Sequence, residues 1–267
     1  MSGEPDLSIL LQFPASTLRE CAESLRGGSL RHGVTAGLLQ PLFGSKAADV
    51  AAQLGKLTSL GCPPPVLAVL ADALANSQNA TEDALRSVSP VLSGPAVPGV
   101  PVVATPTIVR GLFEEARSKV LVSSYVFHDA RDLLAPLAER MDADPEFEVI
   151  IITDLSHARK NDEPIPVLAN RVYQRFLTHS WPGKRTPDLW HDPRALLNPD
   201  RSKSGVMHAK TVIIDESAAF VTSANFTEAA QYRNMEAGVI IRHRAYVEVF
   251  RRYFEGLMQT GHLRKLP

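Results

Sequence analysis

A short stretch near the carboxyl end of the chain gathers residue types suited to phosphoryl chemistry. It runs from residue 208 to residue 238 and reads HAKTVIIDESAAFVTSANFTEAAQYRNMEAG. His208 and Lys210 are two residues apart on a predicted strand (206–215), so both side chains should leave the same face of the sheet. An imidazole and an ammonium side by side are costly to bury without an anionic partner. The pair therefore indicates a site that binds an anion.

Short polar residues follow this pair at a predicted strand-to-helix turn. A second strand, Ala218–Val221, ends in Thr222, Ser223 and Asn225. Backbone N–H groups are unpaired at such turns, and oxyanion-binding sites are commonly built there. Further on, Glu236 enters the last predicted strand. If that strand neighbours the first, Glu236 can reach His208.

The spacing of these residues resembles the signature of the phospholipase D superfamily. That signature is His-x-Lys, four residues, Asp, then a Gly-Ser-x-Asn turn and a later Asn-x-Glu. The matching residues here are His208, Lys210, Asp215, Ser223, Asn225, Asn234 and Glu236. The resemblance covers about residues 105–260 and is closest to the bacterial members with one motif, the Nuc-like phosphodiesterases. Thr222 stands where the family has glycine, and threonine would be strained there if the position needs a positive φ.

The resemblance implies a reaction without a metal or cofactor. His208 would attack phosphorus and form a phosphohistidine, which divides one difficult displacement into two easier ones. Lys210 and Asn225, with help from Ser223, would bind the non-bridging oxygens. Glu236 would accept the Nδ1–H of His208 and fix its tautomer. Asp215 lies at the far end of the strand, so it should support the site rather than perform chemistry.

The same mechanism needs a second histidine to protonate the leaving oxygen and later activate water. In the superfamily this histidine comes from a second copy of the motif, but no other histidine of this chain stands in a His-x-Lys pattern. The second histidine must then come from another subunit. The sequence therefore predicts a homodimer whose two-fold axis passes near the two His208 side chains.

The elements that position these residues belong to a predicted α/β fold. Residues 1–87 read as a helical domain, and prolines are dense in residues 88–106, which indicates a junction with short extended segments at 88–92 and 100–104. From residue 107 helices alternate with strands such as 119–127 and 147–154. This order predicts an α/β sandwich with a mostly parallel or mixed sheet over residues 107–267. The resemblance implies that it is the α-β-α sandwich of the phospholipase D type, with a mixed sheet. We predict no strong strand between residues 155 and 205.

Charge is distributed unevenly along the 267 residues. The formal net charge is −1, so no overall basic field points to nucleic acid. Residues 1–155 hold 11 Lys+Arg against 18 Asp+Glu, whereas residues 156–267 hold 17 against 11. An anionic substrate should therefore meet the C-terminal part. Two cysteines are too few for a disulfide framework, and with neither a signal sequence nor a long apolar run, a cytoplasmic location is the default expectation.

Two substrate classes and one non-enzymatic role remain open. A nuclease, acting on DNA, is favoured by the basic residues and tryptophans of residues 155–205. The candidate contacts are Arg159, Lys160, Arg171, Arg175, Lys184, Arg185, Arg201, Lys203 and either Trp181 or Trp190. For the tryptophans core packing is the favoured alternative, and for each basic residue the alternative is a solvated surface. A phospholipid phosphodiesterase ranks lower, because no amphipathic helix with a basic face and aromatic anchors is recognisable. The third reading is a nucleic-acid-binding component with weak activity.

A narrower resemblance rests on the helical N-terminal part, the SGP tripeptide at residues 93–95 and the single C-terminal motif. Together they are similar to the DrmC family of the DISARM antiphage systems. This resemblance implies a role in defence against foreign DNA, alongside other proteins of the defence system.

Overall fold

The computed structural model describes residues 4–160, 163–197 and 205–267. Arg201 and Lys203, two of the predicted substrate contacts, lie outside these ranges. The chain separates into two compact units, Met1–Arg86 and Ser87–Pro267. None of the helices described in these ranges has the length and apolar content needed to span a bilayer.

The first unit is helical. Its apolar residues, among them Leu18, Leu25 and Leu67, are buried in one cluster. The helices described in it are α1 (Ala15–Gly27), α2 (Ala36–Phe43), α3 (Ala47–Ser59) and α4 (Pro64–Arg86).

The second unit is built around one large sheet. Its described helices are α5 (Thr105–Glu115), α6 (Arg131–Ala143), α7 (Ile165–His179), α8 (Arg194–Leu197), α9 (Glu228–Tyr232) and α10 (Arg244–Gln259). Its described strands are β1 (Val88–Ser93), β2 (Lys119–Ser124), β3 (Phe127–His128), β4 (Glu148–Thr153), β5 (Asp188–His191), β6 (Thr211–Ile214), β7 (Ala218–Thr222), β8 (Phe226–Thr227), β9 (Glu236–Ile241) and β10 (Arg264–Lys265).

The topology of this sheet determines where the chemistry-bearing residues meet. Its strand order is β1-β9-β7-β6-β2-β4-β5-β10, with β3 and β8 forming a separate small ladder. Strands β2, β4 and β5 are parallel, β6 is antiparallel to β2, and β7 and β9 continue the alternation. The carboxyl ends of β2, β4 and β7 therefore lie at the edge where β6 and β9 begin. This carboxyl edge brings residues 208–210, 222–225 and 236 together.

Apolar side chains cover both faces of the sheet, because strands such as β4 are buried along almost their whole length. On one face, Val149 and Ile151 pack with α5, α6 and α7. On the other face, Ile150 and Ile152 pack with Val247 and Phe254 of α10. The result is a three-layer α-β-α sandwich with a mixed sheet, which confirms the predicted fold class.

One local prediction is confirmed and two are corrected by the structure. The extended segment predicted at 88–92 is the edge strand β1, and Pro90 is tolerated there because an edge strand has one unpaired side. Residues 100–104 form no strand and contribute only an isolated bridge between Val97 and Val100. Within 155–205, the predicted strand-free connection, residues Asp188–His191 form β5.

Candidate active site

His208 and Lys210 lie at the carboxyl edge in irregular chain just before β6, not inside a strand as predicted. The two side chains nevertheless lie side by side. The Lys210 ammonium nitrogen Nζ is 3.3 Å from both ring nitrogens of His208 and donates to the His208 carbonyl oxygen at 2.9 Å. The imidazole is exposed, whereas the lysine is only 7% exposed. A buried cation thus lies beneath an accessible nucleophilic ring.

Burial lowers the pKa of Lys210, and the nearby Glu236 carboxylate partly opposes this shift. Desolvation has this effect because it penalises the charged ammonium. A phosphate bound at His208 would supply the negative charge that a buried ammonium lacks. Its arrival would therefore stabilise the charged form of Lys210.

Glu236 belongs to a network with Ser223 and Asn234. The Ser223 hydroxyl donates to one carboxylate oxygen of Glu236, and the Asn234 side-chain amide donates to the other at 3.1 Å. The Ser223 hydroxyl also accepts the Ala237 N–H at 3.1 Å. The predicted bond from Glu236 to His208 is not formed, because β9 and β6 are separated by β7. Glu236 acts on the pair through its charge near Lys210.

Thr222 is not strained, although it replaces the family glycine. Among the described residues, positive φ outside glycine occurs only at Asp129 and Asp215. Thr222 ends β7, and its hydroxyl accepts the Ala224 N–H at 3.1 Å. A glycine is instead required on the neighbouring strand. Gly238 of β9 pairs with Thr222, and a Cβ at Gly238 would be 2.6 Å from the Val221 carbonyl oxygen. The close approach of β7 and β9 thus depends on Gly238.

Asn225 lies in the turn between β7 and β8, against the end of β2. The Ser124 hydroxyl is 3.4 Å from the Asn225 side-chain oxygen and accepts the Phe226 N–H at 3.1 Å. Gln231 Nε2 donates to the Asn225 carbonyl oxygen at 2.9 Å. These bonds hold the turn at the carboxyl edge, where His208, Lys210 and Glu236 also lie.

Two buried polar residues that the sequence interpretation did not assign position the segment around His208. Asp154, at the end of β4, accepts the Met207 N–H at 2.9 Å. The Ser123 hydroxyl, near the end of β2, donates to the Ala209 carbonyl oxygen and accepts the Thr211 N–H, both at 3.1 Å. The signal for both was available: each is a polar residue at the carboxyl end of an apolar strand.

Asp215 lies at the opposite end of β6 from His208, as predicted. Its carboxylate accepts the N–H groups of Arg117, Ser118 and Lys119 and the Ser118 hydroxyl, at 2.7–2.9 Å. Burial alone would raise the pKa of Asp215, but these donors together outweigh it and the pKa lies below its usual range. Asp215 thus joins the β6–β7 turn to the start of β2 through these hydrogen bonds.

We expect Asp215→Ala to lower the free energy of unfolding by about 2–3 kcal/mol, because several backbone donors lose their acceptor. Urea unfolding followed by circular dichroism measures this loss, with Glu114→Ala on the surface of α5 as the control. Because the pKa of Asp215 is lowered by folding, its stabilisation is present above the unfolded pKa of about 3.9 and is lost as the pH falls through the folded value. An unchanged unfolding midpoint at pH 7 would contradict this role.

Several predicted substrate contacts lie away from His208. The Lys184 and Arg185 N–H groups donate to Asp142, and the Arg185 guanidinium donates to the carbonyl oxygens of Met141, Asp144 and Pro145. These bonds close the carboxyl end of α6, at the edge opposite to His208. The structure therefore does not bring Lys184 and Arg185 together with His208.

The tryptophans serve the core. Trp190 packs in the cluster beneath α10, and its indole N–H is buried without a partner in the described part of the chain. Trp181 is buried beside Phe176, and its indole N–H donates to the Arg185 carbonyl oxygen at 2.7 Å. Stacking of a base on Trp190 is therefore not supported, since the alternation of β5 turns its side chain into this apolar layer.

The remaining described basic residues of the connection have mixed surroundings. Arg159 donates to the Leu196 carbonyl oxygen at 3.0 Å, and Lys160 is exposed. Arg171 forms an ion pair with Glu163 at 2.7 Å. Arg175 is exposed on α7 and lines a cleft with His157. Lys160 and Arg175 are thus the members of this group that stay accessible.

An open cleft leads directly to His208. Its walls include Met207, Tyr253 and Leu263, and Arg194 stands at its rim, paired with the buried Asp192 at 2.6 Å. The imidazole is therefore not sealed from a phosphate. The exposed nucleophile, the buried cation and the hydroxyl–carboxylate network at one sheet edge can together bind and attack a phosphodiester.

The fold and the site define a phospholipase D-type α/β protein. The family model described as "Cardiolipin synthase, PLD-like domain" matches residues 109–258, which is more than half of the chain. The chain belongs to this phospholipase D-like family. A search of curated proteins finds no match.

Several solved structures are also similar to this chain. Nuc from Salmonella typhimurium is 20% identical, with a TM-score of 0.42, and the match covers 67% of this chain and 97% of Nuc. NucT from Helicobacter pylori is 18% identical, with a TM-score of 0.43, covering 64% and 96%. Phosphatidylserine synthase from Haemophilus influenzae is 15% identical, with a TM-score of 0.44, covering 67% and 40%.

Proposed function

We propose that this chain is a metal-independent phosphodiesterase of the phospholipase D type, with His208 as its nucleophile. The observation that supports it best is the accessible His208 imidazole held against the buried Lys210 ammonium. No cofactor is needed, because the imidazole supplies the nucleophile and Lys210 supplies the positive charge.

The reaction follows from these groups. A ring nitrogen of His208 attacks phosphorus, a P–N bond forms, and the P–O bond to the leaving group breaks. Lys210 and Asn225 stabilise the non-bridging oxygens, and Ser223 and Glu236 hold the pocket beside Lys210. Water then attacks phosphorus and displaces the imidazole. The P–N bond breaks, and the phosphate product leaves.

A second histidine must donate a proton to the leaving oxygen and then accept one from water. We propose that it is His208 of a second copy of the chain, in a homodimer with two-fold symmetry. Two exposed imidazoles would then face one another across one phosphate. The exposure of His208 is compatible with such a shared site.

DNA is the proposed substrate, and antiphage defence in the cytoplasm, with other defence proteins as partners, is the proposed setting. The positive balance of residues 156–267 favours a polyanion. The setting rests on the resemblance to the DrmC family alone. A nuclease that defends against foreign DNA would use this phosphodiester chemistry directly.

A phospholipid substrate is the second candidate. The description of the matching family model names cardiolipin synthase. In addition, Tyr246, Val249 and Tyr253 are exposed at helical spacing along α10, each at about 60%. This apolar row would suit contact with a lipid surface.

Trapping of the covalent intermediate tests the proposed function. The protein is incubated with an oligonucleotide carrying ³²P at internal phosphates and quenched in alkali, where phosphohistidine survives. We expect label on the peptide that contains His208, with the label lost in acid. A vesicle containing ³²P-labelled phosphatidylglycerol is the parallel substrate. Label from the vesicle alone would favour the lipid reading, and hydrolysis without label on His208 would refute the mechanism.

A further inference from the structure

A second cleft lies at the carboxyl edge, and the mechanism above makes no use of it. We define the histidine cleft by Phe127, His128, His157, Ala158, Arg175 and His179, which all line it. Its enclosed volume is about 110 Å³, which is below the range of roughly 300–1,000 Å³ typical of sites for drug-sized ligands. The cleft can therefore accept one ring system but not a duplex.

One ring connects the histidine cleft to the nucleophile. Tyr125 follows β2, and the centre of its ring is 5.2 Å from that of His208 and 5.3 Å from that of His157. The two imidazoles are thus separated by a single phenol ring. A group attached through one sugar to a phosphate at His208 would therefore be placed near the cleft.

The lining is aromatic at its floor and polar at its rim. Phe127 meets Phe176 edge to face, with ring centres 5.5 Å apart. On α7, Arg175 and His179 are four residues apart and so share a helix face, and Phe176 lines the cleft beside them. An apolar aromatic floor with a few donors and acceptors at the rim suits a flat, polar-edged ring.

The rim is better suited to a neutral heterocycle than to a further phosphate. Burial lowers the pKa of His157, against the opposing charge of Asp154, so its ring is neutral near pH 7. His128 is paired with Asp129 at 2.9 Å. Arg175 is then the fixed cation of the described rim, and a guanidinium both stacks on a base and bonds its edge.

We propose that the histidine cleft binds one unstacked nucleobase of a single-stranded nucleic acid whose scissile phosphate lies at His208. The inference rests on the proposed nuclease function and deepens it. A base inside a cleft of this size cannot remain in a duplex stack, so single strands or locally opened strands are the expected substrates. Stacking would orient the sugar and thereby the phosphodiester.

The test uses small chromogenic diesters in which the base is on a known side of the phosphate. Thymidine 3′-(p-nitrophenyl phosphate), its 5′ isomer and the two matching abasic tetrahydrofuran diesters are compared with the full-length protein. For one isomer we expect the base to raise kcat/KM about tenfold or more. Ala158→Phe, which fills the cleft, should remove this ratio, and Arg175→Ala should reduce it. Val69→Phe on the exposed surface of α4 adds the same ring elsewhere and should leave the ratio unchanged.

Three results would overturn the inference. The base could give no advantage in either isomer, or Ala158→Phe could leave the ratio between base-bearing and abasic diesters intact. Alternatively, Ala158→Phe could slow hydrolysis of phosphatidylglycerol vesicles alone, which would make the cleft a lipid subsite. If no diester is hydrolysed, the proposed function fails by itself. Anisotropy of fluorescein-labelled (dT)₈ then decides the inference, with weaker binding by Ala158→Phe than by Val69→Phe as the expected result.

Discussion

His208→Ala is expected to lower phosphodiester hydrolysis by about 10⁴-fold or more, because the variant lacks the atom that attacks phosphorus. The fold should be unaffected. The imidazole is exposed, and its contacts in the described chain are to Lys210 and Tyr125 rather than to the apolar core. Turnover of a labelled oligonucleotide measures the loss, and the urea unfolding midpoint verifies the fold.

Mixed dimers test whether each active site uses His208 from both protomers. If each site uses His208 from both protomers, dimers with one His208→Ala chain should be inactive. Equal amounts of the unmutated and His208→Ala chains are unfolded together and refolded. The mixture should have about a quarter of the activity of the same total amount of unmutated protein, because about a quarter of the dimers have two intact chains. Independent sites would give half. His243→Ala, at the start of α10, is the matched control, and mixing it should cause no loss.

Retained hydrolysis in His208→Ala would remove this residue as the nucleophile. Half activity in the mixed sample, together with full loss in the variant, would keep the nucleophile but refute the shared site. The identity of the nucleophile and the sharing of one site by two protomers are therefore tested separately.

The sheet edge that carries the site was predictable because the pattern of apolar side chains within each strand identifies that strand. The predicted strand Ala218–Val221 is observed as β7, Ala218–Thr222. The alternation of helices and apolar strands was enough for the α-β-α class. β5 was missed because it has only four residues, of which Asp188 and His191 are polar.

The bonds within the site were less predictable, since they depend on which strands are neighbours. Glu236 was expected to meet His208, but the strand order inserts β7 between them, and Glu236 binds Ser223 instead. Arg185 was read as a substrate contact from its charge alone, whereas its partners are carbonyl oxygens at the end of α6. Residue type indicates what a side chain can do, and the fold decides what it meets.

Asp154 and Ser123 illustrate the same limit. Each binds the backbone next to His208 from about 50 to 90 residues away in the sequence. No local pattern joins the two partners. Only the pairing of β2 with both β4 and β6 makes these contacts possible.

Lys210→Met is expected to lower turnover by about 100- to 1,000-fold, because the charge that forms on phosphate oxygens loses its nearest cation. The free energy of unfolding should not fall. Methionine has a similar length, and it replaces an ammonium whose pKa is already lowered by burial, so an apolar group is tolerated at least as well there. The expected signature is therefore loss of activity without loss of stability.

The pH dependence of activity distinguishes the effect of the Lys210 charge from the effect of its side-chain shape. Activity that needs the Lys210 ammonium is lost as the pH rises through the lowered pKa, below the usual lysine value of about 10.4. In Lys210→Arg the side chain stays charged at high pH. The activity that remains in this variant should therefore not fall at alkaline pH, so its pH profile lacks the alkaline limb. Lys119→Met, at the opposite end of β2, is the control and should keep full turnover. If Lys210→Met stayed active with an unchanged alkaline limb, the buried cation would have no part in the reaction.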